Sequence, residues 1–164
     1  MFSIKGLAFE KKLLSAVLMI NIMILIPVVI RKPPRKDWII VYLYNAITNI
    51  MVDCLLTKHN VIKYPVRFLA NLFRTQILFD LLVYPTLTVV YNQVTYKDKP
   101  LDSFFKLFYF TIPMIIVETW AERKTKLIRW NRGWEWYHTF IGFTLKSFHT
   151  RLLMGLLRKM DERK

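Results

Sequence analysis

The chain has 164 residues, 54% of them hydrophobic and only 22% charged, with 25 Lys and Arg against 11 Asp and Glu. That length holds one compact unit, and the apolar content is too high for an ordinary soluble domain. The formal charge of +14 would suit nucleic acid, but the basic residues sit between apolar runs, as Arg31, Lys32, Arg35 and Lys36 do, where anionic headgroups attract them. Nucleic acid is therefore not the expected partner; a lipid bilayer with anionic headgroups is.

The expected fold class is all-α: one integral membrane domain over 1–164, a helical bundle of four to five transmembrane helices. Residues 13–30 form the first span. Lys5, Lys11 and Lys12 precede it as in a signal peptide, but no small-x-small cleavage site follows, so the span is expected to be retained. The break 31–37, with two prolines and four basic residues, ends it. Residues 38–57 form the second span, with Trp38 placed as an interfacial anchor. Asn45, Asn49 and Asp53 recur every four residues, and Tyr42 extends that polar stripe on one helical face. Cys54, the single cysteine, excludes an intrachain disulfide and a Cys-rich zinc site and is expected to be an inert buried thiol.

The third span is expected at 77–91, after an amphipathic entry helix around 68–75, with a kink at Pro85 whose freed carbonyl finds neighbours. A turn at Lys97-Asp98-Lys99-Pro100 leads to the fourth span, 103–121, where Lys106 can snorkel to the interface. Residues 122–136 make a basic, Trp-rich connection. The last segment, 137–157, carries His138, Lys146, His149 and Arg151. It either spans or lies along the interface as a basic amphipathic helix.

Lys and Arg divide almost evenly between the two sides of a five-span chain, which orients nothing. With four spans and an interfacial last helix, the balance tips to the side of the N-terminal arm and predicts a cytoplasmic N-terminus.

Consecutive spans run in opposite directions, so Asp53, Asp80 and Glu118 fall at one depth on one side, each only about 5–6 Å inside its span end at ~1.5 Å per residue. Buried charges in lipid seek partners. Arg74 is the expected partner of Asp80, with Arg67, His59, Lys124 and Lys126 on the same side. Two readings stay open. Asp53, Asp80 and Glu118 are either held by Arg74, Asn45, Asn49 and Tyr84 in a network fixing helix register, or form a protonatable or cation-binding site within a cavity; failing both, they reach headgroup water. No metal spacing marks the acids. His138 and His149, eleven apart, are expected in polar packing. Trp120, Trp130, Trp134 and Trp136 flank the basic connection and predict interfacial anchoring. A headgroup surface formed by Trp130, Trp134 and Trp136 with Arg129 and Arg132 is the sharper alternative. No nucleophile elbow, Walker loop, HExxH or dinucleotide-binding signature is present, so no catalytic residue, metal ligand or cofactor is assigned.

Asp53, Tyr64-Pro65, Phe79-Asp80, Pro85, Tyr91-Asn92-Gln93, Pro113 with Glu118, Thr125-x-Leu127-Ile128 and Trp134-x-Trp136 form short scattered matches over 38–160. On these residues the chain resembles a group of small, uncharacterised multi-span membrane proteins of endospore-forming Bacillota. The resemblance implies a bacterial plasma membrane and a four- to five-span fold, and no particular activity. The expected function is a structural or accessory component of the cell or spore membrane, with a membrane protein as partner. A small ion- or proton-coupled transporter using the acids is the alternative. A lipid-modifying enzyme with Glu118 or Asp80 as general acid is the third.

Overall fold

The computed structural model describes residues 4–31 and 34–161. Lys32 and Pro33 of the predicted break, and 162–164 of the predicted polar tail, lie outside the described residues. Helix α1 (Ile4–Arg31) is followed by α2 (Arg35–Lys58) and a short strand β1 (Ile62–Lys63). A π-helical segment (Phe79–Val83) runs directly into α3 (Tyr84–Val94), then come α4 (Pro100–Lys124), β2 (Arg129–Trp130) and α5 (Trp136–Asp161). Strands β1 and β2 pair antiparallel, with Ile62 opposite Trp130 and Lys63 opposite Arg129. This small sheet departs from a purely helical expectation and caps one end of the bundle.

Among the described residues three helices are long and apolar enough to cross a bilayer: Ala8–Ile30 within α1, Arg35–Lys58 and Pro100–Lys124. Their packing is inside-out relative to a soluble protein. Along α2 the buried set includes Asp37, Asn45, Asn49 and Asp53, while Ile39, Leu43, Ile47, Met51 and Leu55 are exposed. Helix α5 repeats the pattern. Thr139, Thr144, Ser147, Thr150, Arg151 and Met154 face inward, and Ile141, Leu145, Leu152 and Leu156 face outward. An outer surface of this kind is stable only where the solvent is apolar, and small polar side chains then hold helices together.

Helix α5 runs antiparallel to α4 over the full height of the bundle. At the capped end, Thr139 reaches Glu118 on α4. At the other end, Arg158 pairs with Asp37 at 2.5 Å and Lys36 pairs with Asp161 at 2.8 Å. The helix therefore does not lie across the end of the bundle. Helix α5 is not among the three helices that length and composition qualify as crossings.

Pro85 explains how α2 grips the third segment. Proline has no N–H, so neither the α-helical acceptor Leu81 O nor the π-helical acceptor Asp80 O receives a bond from it. Tyr42 donates to Leu81 O at 2.5 Å, and Asn49 donates to Asp80 O at 3.3 Å. The polar stripe of α2 thus satisfies the carbonyls that Pro85 frees. Tyr42→Phe removes one of these bonds without changing shape. It should lower stability by roughly 0.5–2 kcal/mol, measured by SDS titration of the purified protein. An unchanged midpoint would remove Tyr42 from this role.

Several expectations fail locally. No entry helix forms at 68–75, where the chain makes turns. Arg67 donates to the carbonyls of Tyr64 (3.0 Å), Ala70 (3.2 Å) and Phe73 (2.7 Å). Gln76 accepts from Phe68 N at 2.9 Å and donates to Val66 O at 3.2 Å. These side chains take the backbone groups a helix would need. Trp38 is only 1% exposed; it packs with Val41, Val89 and Met154, and the Arg158 guanidinium covers its ring. It is a core residue and not an interfacial anchor. Cys54 is exposed rather than buried, because it lies one residue off the inward stripe. Lys106 reaches toward the end of its helix and pairs there with Asp98 at 2.7 Å.

Candidate functional site

A cavity of about 510 Å³ lies between α2, the π-helical segment, α4 and α5. The strand pair closes one end of it through Ile62 and Ile128. Its walls are mostly apolar, and its polar lining includes Asp53, Asp80, Glu118 and Lys146. Volumes of this order are typical of ligand sites.

Each acid comes from a different helical segment. Asp53 ends the inward stripe of α2, five residues before Lys58. Tyr64, in the loop beyond α2, donates to its Oδ1 at 2.7 Å. Burial and the adjacent Asp53 push the Tyr64 phenol well above its ordinary range, so it remains a donor. Asp80 lies in the π-helical segment, with its carboxyl beside that of Asp53. Both residues are 8% exposed. Oδ2 of each is buried, and the two carboxyls lie within hydrogen-bond reach of each other. Glu118, from α4, accepts from Thr139 at 3.2 Å. The Trp134 indole donates to the same Thr139 hydroxyl at 2.9 Å, and the Trp130 indole lies beside the Glu118 carboxyl.

The cation is Lys146 of α5. It donates to Asn49 Oδ1 and to Asn45 O at 3.5 Å, and it sits over the Tyr84 ring at 5.1 Å. Asn45 also accepts from Thr150 at 3.4 Å. The amide stripe of α2 therefore positions a lysine from α5 near Asp80. Among the described residues that line the cavity, Lys146 is the one Lys or Arg against three carboxyls.

Arg74 does not join this group. It is exposed in the turn before the third segment, because that stretch is not the helix that would have aimed it at Asp80. Arg67 is occupied by loop carbonyls. His59, Lys124, Arg129 and Arg132 are exposed. Trp130 and Trp134 pack against the buried cluster of Ile62, Ala121 and Ile128, whereas Trp120 and Trp136 are exposed. His138 stacks on Trp134 and lines the cavity. His149 meets the Tyr44 hydroxyl at 3.2 Å.

Sequence reasoning missed Tyr64, Thr139 and Lys146 as members of the site. Lys146 had a usable signal: it shares one face of α5 with the buried Thr139 and Thr150, seven and four residues away. Tyr64 had none, since only the folded loop brings it to Asp53. Glu10 was missed too. It is 4% exposed and accepts from Lys126 N at 2.7 Å, which fastens α1 to the capped end. Among the described residues no group of three or more His, Cys, Asp or Glu is placed to hold a metal ion. Comparison with protein-family models, with curated proteins and with solved structures finds no match to this chain.

Proposed function

We propose that this chain is a membrane-embedded binding protein whose cavity takes an amphipathic cation. The apolar walls accept its hydrocarbon part, and Asp53, Asp80 and Glu118 accept its positive end. The observation that carries this reading is the excess of carboxyls: three line a mostly apolar cavity that holds one lysine. Buried carboxyls are costly as anions and hold protons when no cation is at hand, and a cationic ligand offsets that cost.

The probe is n-dodecylammonium, added below its micellar concentration to protein in maltoside detergent. A ligand at 100-fold over its Kd stabilises by about 2.7 kcal/mol, so Tm should rise by several degrees. Uncharged dodecanol should give no such rise, and Asp53→Asn with Glu118→Gln should abolish it. No rise in folded wild type, or an equal rise with dodecanol, overturns the proposal.

A structural or accessory role is the second reading. Tyr64–Asp53 and Thr139–Glu118 favour it, because both bonds tie separate segments together. On that reading Asp53→Asn and Glu118→Gln lose folded protein before they lose any ligand. We place the chain in a bacterial plasma membrane, on the family resemblance, with four to five crossings. The inside-out face of α5 supports counting it as a crossing. The capped end is proposed to be cytoplasmic, which puts the N-terminus there as well. Exposed Lys58, Lys63, Arg123, Lys124, Arg129 and Arg132 gather at that end. The opposite end exposes Arg35, Lys97, Lys99 and Lys159 and holds three further cations in ion pairs.

A further inference from the structure

Resting on that reading, we infer that the cavity is a proton–cation exchange site. Asp53 and Asp80 share one proton when no ligand is bound, and the ammonium of the ligand displaces that proton one for one.

Oδ2 of Asp53 and Oδ2 of Asp80 are both buried, and the two carboxyls lie within hydrogen-bond reach of each other. An ionised carboxylate only accepts, so two of them can bond only through a proton held between them. Two like charges this close in an apolar setting do not both ionise. The two residues come from different segments, α2 and the π-helical segment, and Tyr64 holds Asp53 from the loop at 2.7 Å. The fold, and not nearness along the chain, sets the carboxyls side by side.

With one proton between them the two aspartates carry one negative charge. Lys146, on Asn49 and near Asp80, carries one positive charge. That set is neutral and offers a cation little. Loss of the proton exposes a second negative charge on the same oxygens. An ammonium brings one charge and three hydrogens, so it replaces the proton in both respects. The carboxyl O–H bond breaks, its electron pair stays on the oxygen and the proton passes to water. The ammonium then takes its place by hydrogen bonds, and no covalent bond forms. Asp53 lies five residues before Lys58, about 7 Å from the helix end at ~1.5 Å per residue, so the proton has a short way out.

The titratable groups that face the pair are Tyr64 of the loop, Glu118 of α4, and Lys146 and His138 of α5. Tyr84 of α3 is tied to Ser147 at 2.9 Å. Helix α1 clusters through Leu14 with Leu78, and its Glu10 turns to Lys126 N. Glu118 is held apart by Thr139 at 3.2 Å, so a cation bound there alone would leave the shared proton in place.

Isothermal titration calorimetry of the full chain in maltoside with n-dodecylammonium, less a titration into protein-free micelles, tests the exchange. Runs at one pH in buffers of different ionisation enthalpy count the protons released, and about one per ligand is expected. Because proton and ammonium compete, Kd should fall about tenfold for each unit by which pH rises through the acidic to neutral range. Asp80→Asn gives Asp53 a permanent N–H where the shared proton stood. It should weaken binding about tenfold, by loss of a charge-assisted bond, and release no proton; Asp53→Asn should do the same. Glu118→Gln should bind more weakly yet still release the proton. If dodecylammonium binds wild type without proton release, or with a Kd that ignores pH, the exchange is overturned and the cation site stands. Release that persists in folded Asp80→Asn or Asp53→Asn, or disappears in folded Glu118→Gln, also overturns it, because the proton then comes from elsewhere. The wild-type proton count stands as a test even where a variant does not fold. If dodecylammonium does not bind at all, both readings fall.

Discussion

Arg151→Met is expected to lower stability by about 1–3 kcal/mol, the scale of leaving a buried acceptor without a donor. Arg151 is 8% exposed. Its Nε donates to Thr95 Oγ1 at 3.1 Å. One terminal nitrogen donates to the carbonyls of Thr95 (2.7 Å), Tyr96 (3.3 Å) and Asp98 (3.3 Å). These carbonyls belong to the end of α3 and the turn beyond it, where a helix leaves acceptors unfilled and its dipole favours a cation. Methionine fills a similar volume but donates nothing, so several acceptors stay buried without a partner. Arg151→Lys should fall between the two, because an ammonium cannot reproduce the planar fork. SDS titration followed by circular dichroism measures the loss. A cost under ~1 kcal/mol for Arg151→Met would show that the turn 95–99 finds other donors, and that α3 is not held from α5.

The contrast between what the sequence revealed and what it hid follows from the range over which each signal acts. The α2 stripe was legible because helical period and burial are local: residues four apart share a face whatever surrounds them. The common depth of Asp53, Asp80 and Glu118 was readable from span ends and alternating direction alone. Arg74 illustrates the limit. Its nearness to Asp80 along the chain suggested a pair, but Arg67 and Gln76 hold 66–76 in turns, and Arg74 ends up exposed. Trp38 failed for a related reason. Charges precede it in sequence, as they would at an interface, yet Arg158 arrives from the far end of α5 to cover it. Helix α5 itself was ambiguous because His138, Lys146, His149 and Arg151 interrupt it, and only the folded bundle shows Lys146 and Arg151 turned toward partners on other segments. The partners of the acids, Tyr64, Thr139 and Lys146, are all tertiary neighbours, and no spacing rule reaches them.

Lys146→Met is the second substitution with a large expected effect, and its interest lies in what restores it. The lysine is the nearest cation to Asp80 across the α2–α5 contact, held by Asn45 and Asn49 and resting on Tyr84. Removing it leaves Asp53 and Asp80 beside each other with no cationic side chain in the lining. The expected loss is ~3–5 kcal/mol. Asp80→Asn removes the charge that the lysine balances while keeping a side chain of the same shape. Combined with Lys146→Met, it should recover at least half of the loss. A double-mutant cycle from SDS midpoints should then give a coupling above ~1 kcal/mol, as expected for groups in one network. Zero coupling would mean that Lys146 serves only to join α2 and α5 through the asparagines. In that case the three carboxyls have no charged counterpart among the lining side chains, and either protons or a bound cation must neutralise them. Dodecylammonium should then stabilise Lys146→Met more than wild type. Full coupling would instead assign one carboxylate to the lysine and leave Glu118 and the remaining aspartate to receive the ligand. The same cycle therefore measures how much of the site the protein satisfies by itself and how much it leaves for its ligand.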